Sequence, residues 1–208
     1  MTGRLVKPLA AHPAQTSLGH GIFGLTALLV AIAPFPACAA EGYTVDPEHS
    51  YVHFSVSHFW FATTHGRFER ISGHATLDKS AQKGAVEITI DASSINTDID
   101  LRDRNLRSPN FFDVARFPDV IYQSSALVFN GDTPVSIEGS LTLLGVSRPV
   151  TLTITDFKCS VQPEHNQEVC NTTANTRIRR SDFGMKYALP LVGDEIELVF
   201  GVAAVKKE

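Results

Sequence analysis

The sequence predicts an all-β fold of about eight strands, either a barrel or a sandwich, with one short helical segment. Apolar and polar residues alternate with a period of two through most segments after residue 42. Turn chemistry interrupts that alternation at close spacing, as at Lys83-Gly84, Asn130-Gly131-Asp132 and Gly145-Val146-Ser147-Arg148-Pro149. Only residues 101–118 break the pattern at length: they are charged, aromatic and punctuated by Pro109 and Pro118, so they read as a short helix and a turn.

A chain of 208 residues suits one domain, yet its first 39 residues differ from the rest. Arg4 and Lys7 are the only charged side chains before Glu41, two histidines apart. Gly21 to Ala33 is almost wholly apolar, and Ala37-Cys38-Ala39 offers small residues to a signal peptidase. A basic start, an apolar middle and a small-residue end predict a secretory signal peptide over residues 1–39, cut near Ala39/Ala40. The alternatives are an uncleaved anchor, for which an apolar run of about thirteen residues is short, and a lipoprotein at Cys38. Phe35-Pro36-Ala37-Cys38 lacks the Leu and small-residue pattern expected before a lipidated cysteine. Loss of Arg4 and Lys7 leaves 16 basic against 22 acidic residues, a net charge of −6 with His neutral. Such an acidic chain has no general attraction to nucleic acid phosphates.

Each strand in turn shows one apolar and one polar face. Val52, Phe54, Val56 and His58 oppose Tyr51, His53, Ser55 and Ser57. The alternation over 67–77 slips between Phe68 and Leu77, which predicts a bulge near Ser72-Gly73. Val86, Ile88 and Ile90 oppose Glu87, Thr89 and Asp91; Val135, Ile137, Gly139, Leu141 and Leu143 oppose Ser136, Glu138, Ser140 and Thr142. Val150, Leu152 and Ile154 alternate with threonines, and Ile196, Leu198, Phe200 and Val202 with Glu195, Glu197 and Gly201. One solvated face per strand is the signature of antiparallel sheets. Cys159 and Cys170 remain after leader removal, and an even count in an exported chain predicts a disulfide. The competing reading, a metal held with His165, matches no familiar zinc spacing.

The run across 101–118 holds Arg102-Asp103, Leu106-Arg107-Ser108, Phe111-Phe112-Asp113 and Phe117-Pro118. Other runs accompany it in order: Asp46-Pro47-Glu48-His49-Ser50, His58, Gly66-Arg67-Phe68, Leu141 to Val146 with Pro149 to Leu152, Arg180 to Met185, and Val192 to Glu195. Together they resemble the YceI-like lipid/polyisoprenoid-binding proteins over residues 42–206. Periodicity alone does not separate a barrel from a sandwich. The resemblance implies a lipocalin-like antiparallel β-barrel of about eight strands, with the 101–118 segment as a short helical lid and an elongated internal cavity.

A barrel of this size is just wide enough to be filled by side chains or to hold one small ligand. Its inward faces carry Val, Ile, Leu and Phe, so only an apolar guest would be solvated there. A filled core would use the same residues; the resemblance favours a cavity. The expected lining is Phe54, Val56, His58, Ile88, Ile90, Leu141, Ile154 and Phe200, with Phe111, Phe112 and Phe117 closing one end. Phe59-Trp60-Phe61 stands where the family usually has small or aliphatic residues; Trp60 shares the parity of His58, so it narrows the cavity, stacks on a guest or packs at the rim.

His49, His53, His58, His65 and His74 fall within 26 residues and raise a metal or haem alternative. On a regular strand His53 and His58 point to opposite faces and cannot share an ion. No Gly-x-Ser-x-Gly elbow, glycine-rich phosphate loop or HExxH helix occurs, so no catalytic residue and no metal are predicted. The enzymatic alternative is a lipid isomerase or cyclase that uses His58. Asp46, Asp103, Arg102 and Arg180 are candidates for an ion-pair cluster at one barrel end; the favoured role is architectural, with the Arg forks pairing carboxylates or backbone carbonyls and pinning the lid, and the alternative is contact with a polar head group. Asn171-Thr172-Thr173 matches a glycosylation sequon, which has meaning only in a eukaryotic secretory route. The expected partner is an isoprenoid, quinone or fatty-acid-like lipid, carried or stored, with no other cofactor. The resemblance also implies a periplasmic destination for the exported chain, and it leaves room for a homodimer and for a membrane redox partner.

Overall fold

The computed structural model describes residues 40–163 and 166–207. The predicted signal peptide and His165 lie outside the described residues. Eleven strands form one antiparallel sheet: β1 (Glu41–Val45), β2 (Tyr51–His58), β3 (Ala62–Phe68), β4 (Ile71–Asp78), β5 (Lys83–Asp91), β6 (Ile95–Asn96), β7 (Asp119–Asn130), β8 (Thr133–Leu143), β9 (Val146–Gln162), β10 (Gln167–Arg179) and β11 (Val192–Lys206). One α-helix, α1 (Asp100–Arg107), is present among the described residues. Because β1 pairs with both β4 and β11, the order β1-β4-β5-β7-β8-β9-β10-β11 closes into an eight-stranded barrel. β2, β3 and β6 prolong three of its staves: β2 succeeds β1 along β11, β3 pairs with β2, and β6 with β3.

The breaks in those three staves have local chemical causes. Between β1 and β2, Pro47 offers no backbone donor, and Asp46 accepts from the Glu48 N–H at 2.9 Å and lies 2.7 Å from His49 Nδ1. The His49 contact holds the Asp46 carboxyl below the usual carboxylate range. Ser50 repairs the ladder, its hydroxyl bonding both the N–H and C=O of Ala203. Between β3 and β4, and again after β5, the buried Ser94 hydroxyl ties the breaks together. It accepts from the N–H groups of Glu69 and Arg70, both at 3.1 Å, and donates to the Asp91 carbonyl.

Two expectations of register are corrected. No bulge lies at Ser72-Gly73, since β4 pairs with β5 without a shift and Gly73 faces Ile88; the slip in periodicity comes from the chain changing strands at residues 69–70. Val135 faces solvent, because the β7–β8 register shifts between Val128 and Phe129 and Pro134 takes the inward position. A similar shift between Thr173 and Ala174 on β10 brings Phe157 of β9 inward beyond Ile154.

The helical segment is held by arginines that cap backbone carbonyls. Arg107 donates to Ser93 O at 2.7 Å and Ile95 O at 2.6 Å, and Arg102 to Thr97 O at 2.8 Å. Buried Asp103 accepts from the Thr97 N–H and hydroxyl. Asp46, Asp103, Arg102 and Arg180 form no ion-pair cluster; in line with the architectural role, Arg180 spends its donors on the Gly193, Met185, Tyr187 and Val192 carbonyls, at 2.8–3.0 Å. Burial pulls its pKa below the ordinary guanidinium value, against the opposing pull of Asp194.

Candidate ligand-binding lumen

Strand alternation aims one face of every stave at the barrel axis, and the residues there leave two apolar cavities of about 90 Å³ and 80 Å³. Tyr43, Val45, Leu77, Ile88, Ile137, Ile154 and Ala174 line the first. Phe54, Val56, Ile90, Phe111, Phe112, Leu141 and Leu198 line the second. Phe200 lines both. The two lie end to end, since along β5 the wall passes from Ile88 to Ile90, along β8 from Ile137 to Leu141, and along β10 from Ala174 to Ile178.

Phe200, which borders both cavities, marks the partition, and it is backed by Tyr122, which lines neither and whose ring centroid lies 6.4 Å away. Tyr122 is fully buried, and its hydroxyl lies 2.9 Å from Ile137 O and 3.0 Å from Val150 O, as donor to these carbonyls. Burial pushes its pKa well above the ordinary phenol value. Its ring lies across Gly139, where an added Cβ would come within 2.7 Å of the hydroxyl oxygen. Tyr122 is thus pinned by bonds to two strands, whereas Phe200 is held by packing alone. Gly66 plays the same part for Phe54: a Cβ there would sit 2.3 Å from the ring.

Most of the expected lining residues border these cavities: Phe54, Val56, Ile90, Phe111, Phe112, Leu141 and Phe200 the second, and Ile88, Ile154 and Phe200 the first. Three do not. His58 keeps the inward parity but lies beyond the cavity wall, its ring against Phe59 at 4.2 Å. Trp60 is 75% exposed at the β2–β3 turn and narrows nothing. Phe117 packs at Gly145 beneath the Arg116 guanidinium, 5.1 Å from its ring centroid, rather than over the lumen. With His58 outside the wall, the group on which the isomerase alternative relied does not face either cavity.

Sequence reasoning missed Tyr43 and Val45, Val120 and Tyr122, and Met185. The first two pairs alternate in short segments, 42–45 and 119–124, that are too brief to stand out beside the longer strands. Met185 is carried in by the turn that Arg180 fastens, which no period reveals. At the far end, where Thr76 and Thr172 also line the wall, Tyr43 brings a phenol whose hydroxyl lies 2.9 Å from Glu41 and 2.7 Å from Glu168. Burial, then these carboxylates, push its pKa far up. Cys159 and Cys170 form a disulfide between β9 and β10, with Cα atoms 3.9 Å apart. Glu168 lies close to both sulfurs, but bonded sulfurs are not the thiolates that a metal needs.

The YceI-like domain family matches residues 43–204 of this chain. The chain belongs to the YceI-like family. A YceI protein of Salmonella arizonae is 31% identical over 190 residues, covering 90% of this chain and 98% of the relative. Among solved structures, a Campylobacter jejuni YceI protein superposes with a TM-score of 0.62 at 25% identity, over 73% of this chain and 90% of that one. A domain from Saccharophagus degradans, described as polyisoprenoid-binding and implicated in plant cell wall breakdown, gives 0.59 at 18% identity over 79% and 98%. That last likeness speaks to fold.

Proposed function

We propose that this YceI-like protein is an exported carrier or store for one elongated apolar molecule: a polyisoprenoid, a quinone tail or a fatty acyl chain. The observation that carries the reading is the pair of end-to-end cavities, lined almost wholly by hydrocarbon inside a closed barrel. A guest there gains about 0.8 kcal/mol per buried methylene, so a long chain binds without polar contacts. The polyisoprenoid-binding description of the Saccharophagus domain supports the ligand class. Export to the periplasm is supported by the leader pattern and by a disulfide, which persists in oxidising compartments. A guest longer than one cavity threads past Phe200, which turns aside; Tyr122 stays in place.

The test is mass spectrometry of an organic extract of protein purified without detergent from its native host. A hydrocarbon-chain molecule at near-stoichiometric yield is the expected result. An extract that holds no lipid above the level of a control protein overturns the reading.

A further inference from the structure

The β2–β3 turn exposes a run of aromatics that the lumen does not use. Phe59 is 41%, Trp60 75% and Phe61 88% exposed. Phe59 and Trp60 adopt φ of 51° and 63°, a region that favours glycine and that bulky side chains rarely accept. A tight hairpin would ordinarily place Asn or Gly there. Folding alone thus gives no reason for aromatics at this tip.

The tip continues into other exposed apolar groups at one end of the barrel. The Phe59 N–H donates to Leu191 O at 2.8 Å, and Leu191 is 45% exposed. Tyr187, 51% exposed, stacks edge-on against Phe111 at 5.3 Å. Phe111 and Val192 both line the second cavity, so this patch borders the end of the lumen. The charge around it runs opposite to that of the whole chain. Segments 100–118 and 179–192, which supply Leu106, Phe111, Phe112, Arg180 and Met185 to that cavity, carry seven Arg and Lys against four Asp. Two of those four, Asp103 and Asp113, are buried, while the chain as a whole is net −4. Arg102 and Arg107 bond to carbonyls rather than carboxylates, whereas Arg116 pairs with Asp113 and buried Arg180 lies in the field of Asp194.

From this conjunction we infer that the Phe59-Trp60-Phe61 tip docks the barrel end onto an anionic lipid bilayer. Trp and Phe at the tip enter the interfacial layer, where amphipathic aromatics settle, and the basic lid segments face the lipid headgroups. A hydrocarbon chain then passes between membrane and cavity without crossing water. The inference rests on the carrier reading for its purpose, while docking is measured independently of cargo.

Trp60 is the only tryptophan of the chain and reports on its own insertion. Protein purified in its exported form, after leader removal, is mixed with vesicles of equal parts phosphatidylglycerol and phosphatidylethanolamine, and separately with phosphatidylcholine vesicles. The wild type floats with the anionic vesicles, its emission shifts to the blue, and bromine-labelled acyl chains quench it. Trp60→Ser and Phe61→Ser together lower partitioning at least about ten-fold, with an unchanged thermal midpoint because both side chains are exposed. Phosphatidylcholine vesicles bind more weakly, and added salt weakens the anionic case. Absence of flotation and of any blue shift overturns the inference. So does a blue shift that appears without vesicles as the protein dimerises, since the tip is then a contact between copies. A wild type that yields lipid on extraction but does not dock defeats this inference alone; one that docks while its lumen yields no lipid defeats the carrier reading alone.

Discussion

Phe200→Ala opens the partition between the two cavities. Phe200 is 3% exposed, borders both spaces and faces Ala174 across β10, so nothing bulky refills its place. The barrel wall is hydrogen-bonded all round and collapses little, so the stability cost is about 3–5 kcal/mol, as for large-to-small changes in rigid cores. The gain appears in ligand selectivity. An apolar cavity of about 150 Å³ accepts a six-carbon benzene, so the smaller cavity of about 80 Å³ accommodates about three carbons. At about 0.8 kcal/mol per methylene, a chain that reaches it gains about 2.4 kcal/mol, or about 60-fold in Kd. Wild-type protein must displace Phe200 to realise that gain, and the variant need not. Calorimetric titration of delipidated protein with saturated fatty acids of increasing length should therefore give similar affinities for the shortest chains. It should give a markedly steeper rise with length in the variant. Parallel length dependences in the two proteins would refute the partition.

Tyr122→Phe removes a buried hydroxyl from the Ile137 and Val150 carbonyls and should cost about 1–2 kcal/mol in urea denaturation. Arg180→Met leaves carbonyls of Gly193, Met185, Tyr187 and Val192 without their donor. A loss of about 3–5 kcal/mol follows, with faster hydrogen exchange concentrated in residues 184–193. Hydrogen bonds from Lys206 and Tyr43 hold the Glu41 carboxyl below its ordinary range. A lowered folded-state pKa means that this contribution is complete above the unfolded value, about 4.3, and is lost as pH falls through the folded one. The urea midpoint of Glu41→Gln should accordingly fall less steeply than that of the wild type between about pH 5 and pH 3.

Strand parity placed Ile88, Ile90, Leu141, Ile154 and Phe200 on the inner surface because a period of two is insensitive to where a strand ends. The same rule misassigned Val135, since a register shift after Val128 inverts the faces locally and leaves no mark in composition. At the β2–β3 turn, parity carried Trp60 inward with His58, but the positive φ at Phe59 and Trp60 ends the strand and turns the ring to solvent. Closure into a ring came from resemblance, since the pairing of β1 with β11 joins residues at opposite ends of the folded domain. The division of the lumen was illegible: Tyr122 reaches its carbonyls only because Gly139, on a neighbouring strand, has no side chain.

Native mass spectrometry of the intact protein, sprayed before any lipid is added, tests the occupied lumen most directly. One hydrocarbon-chain molecule bound per barrel, released only as the fold is disrupted, is the result predicted here. The mass of bare polypeptide under the gentlest conditions, unchanged after incubation with long-chain prenols, quinones and fatty acids, would contradict it.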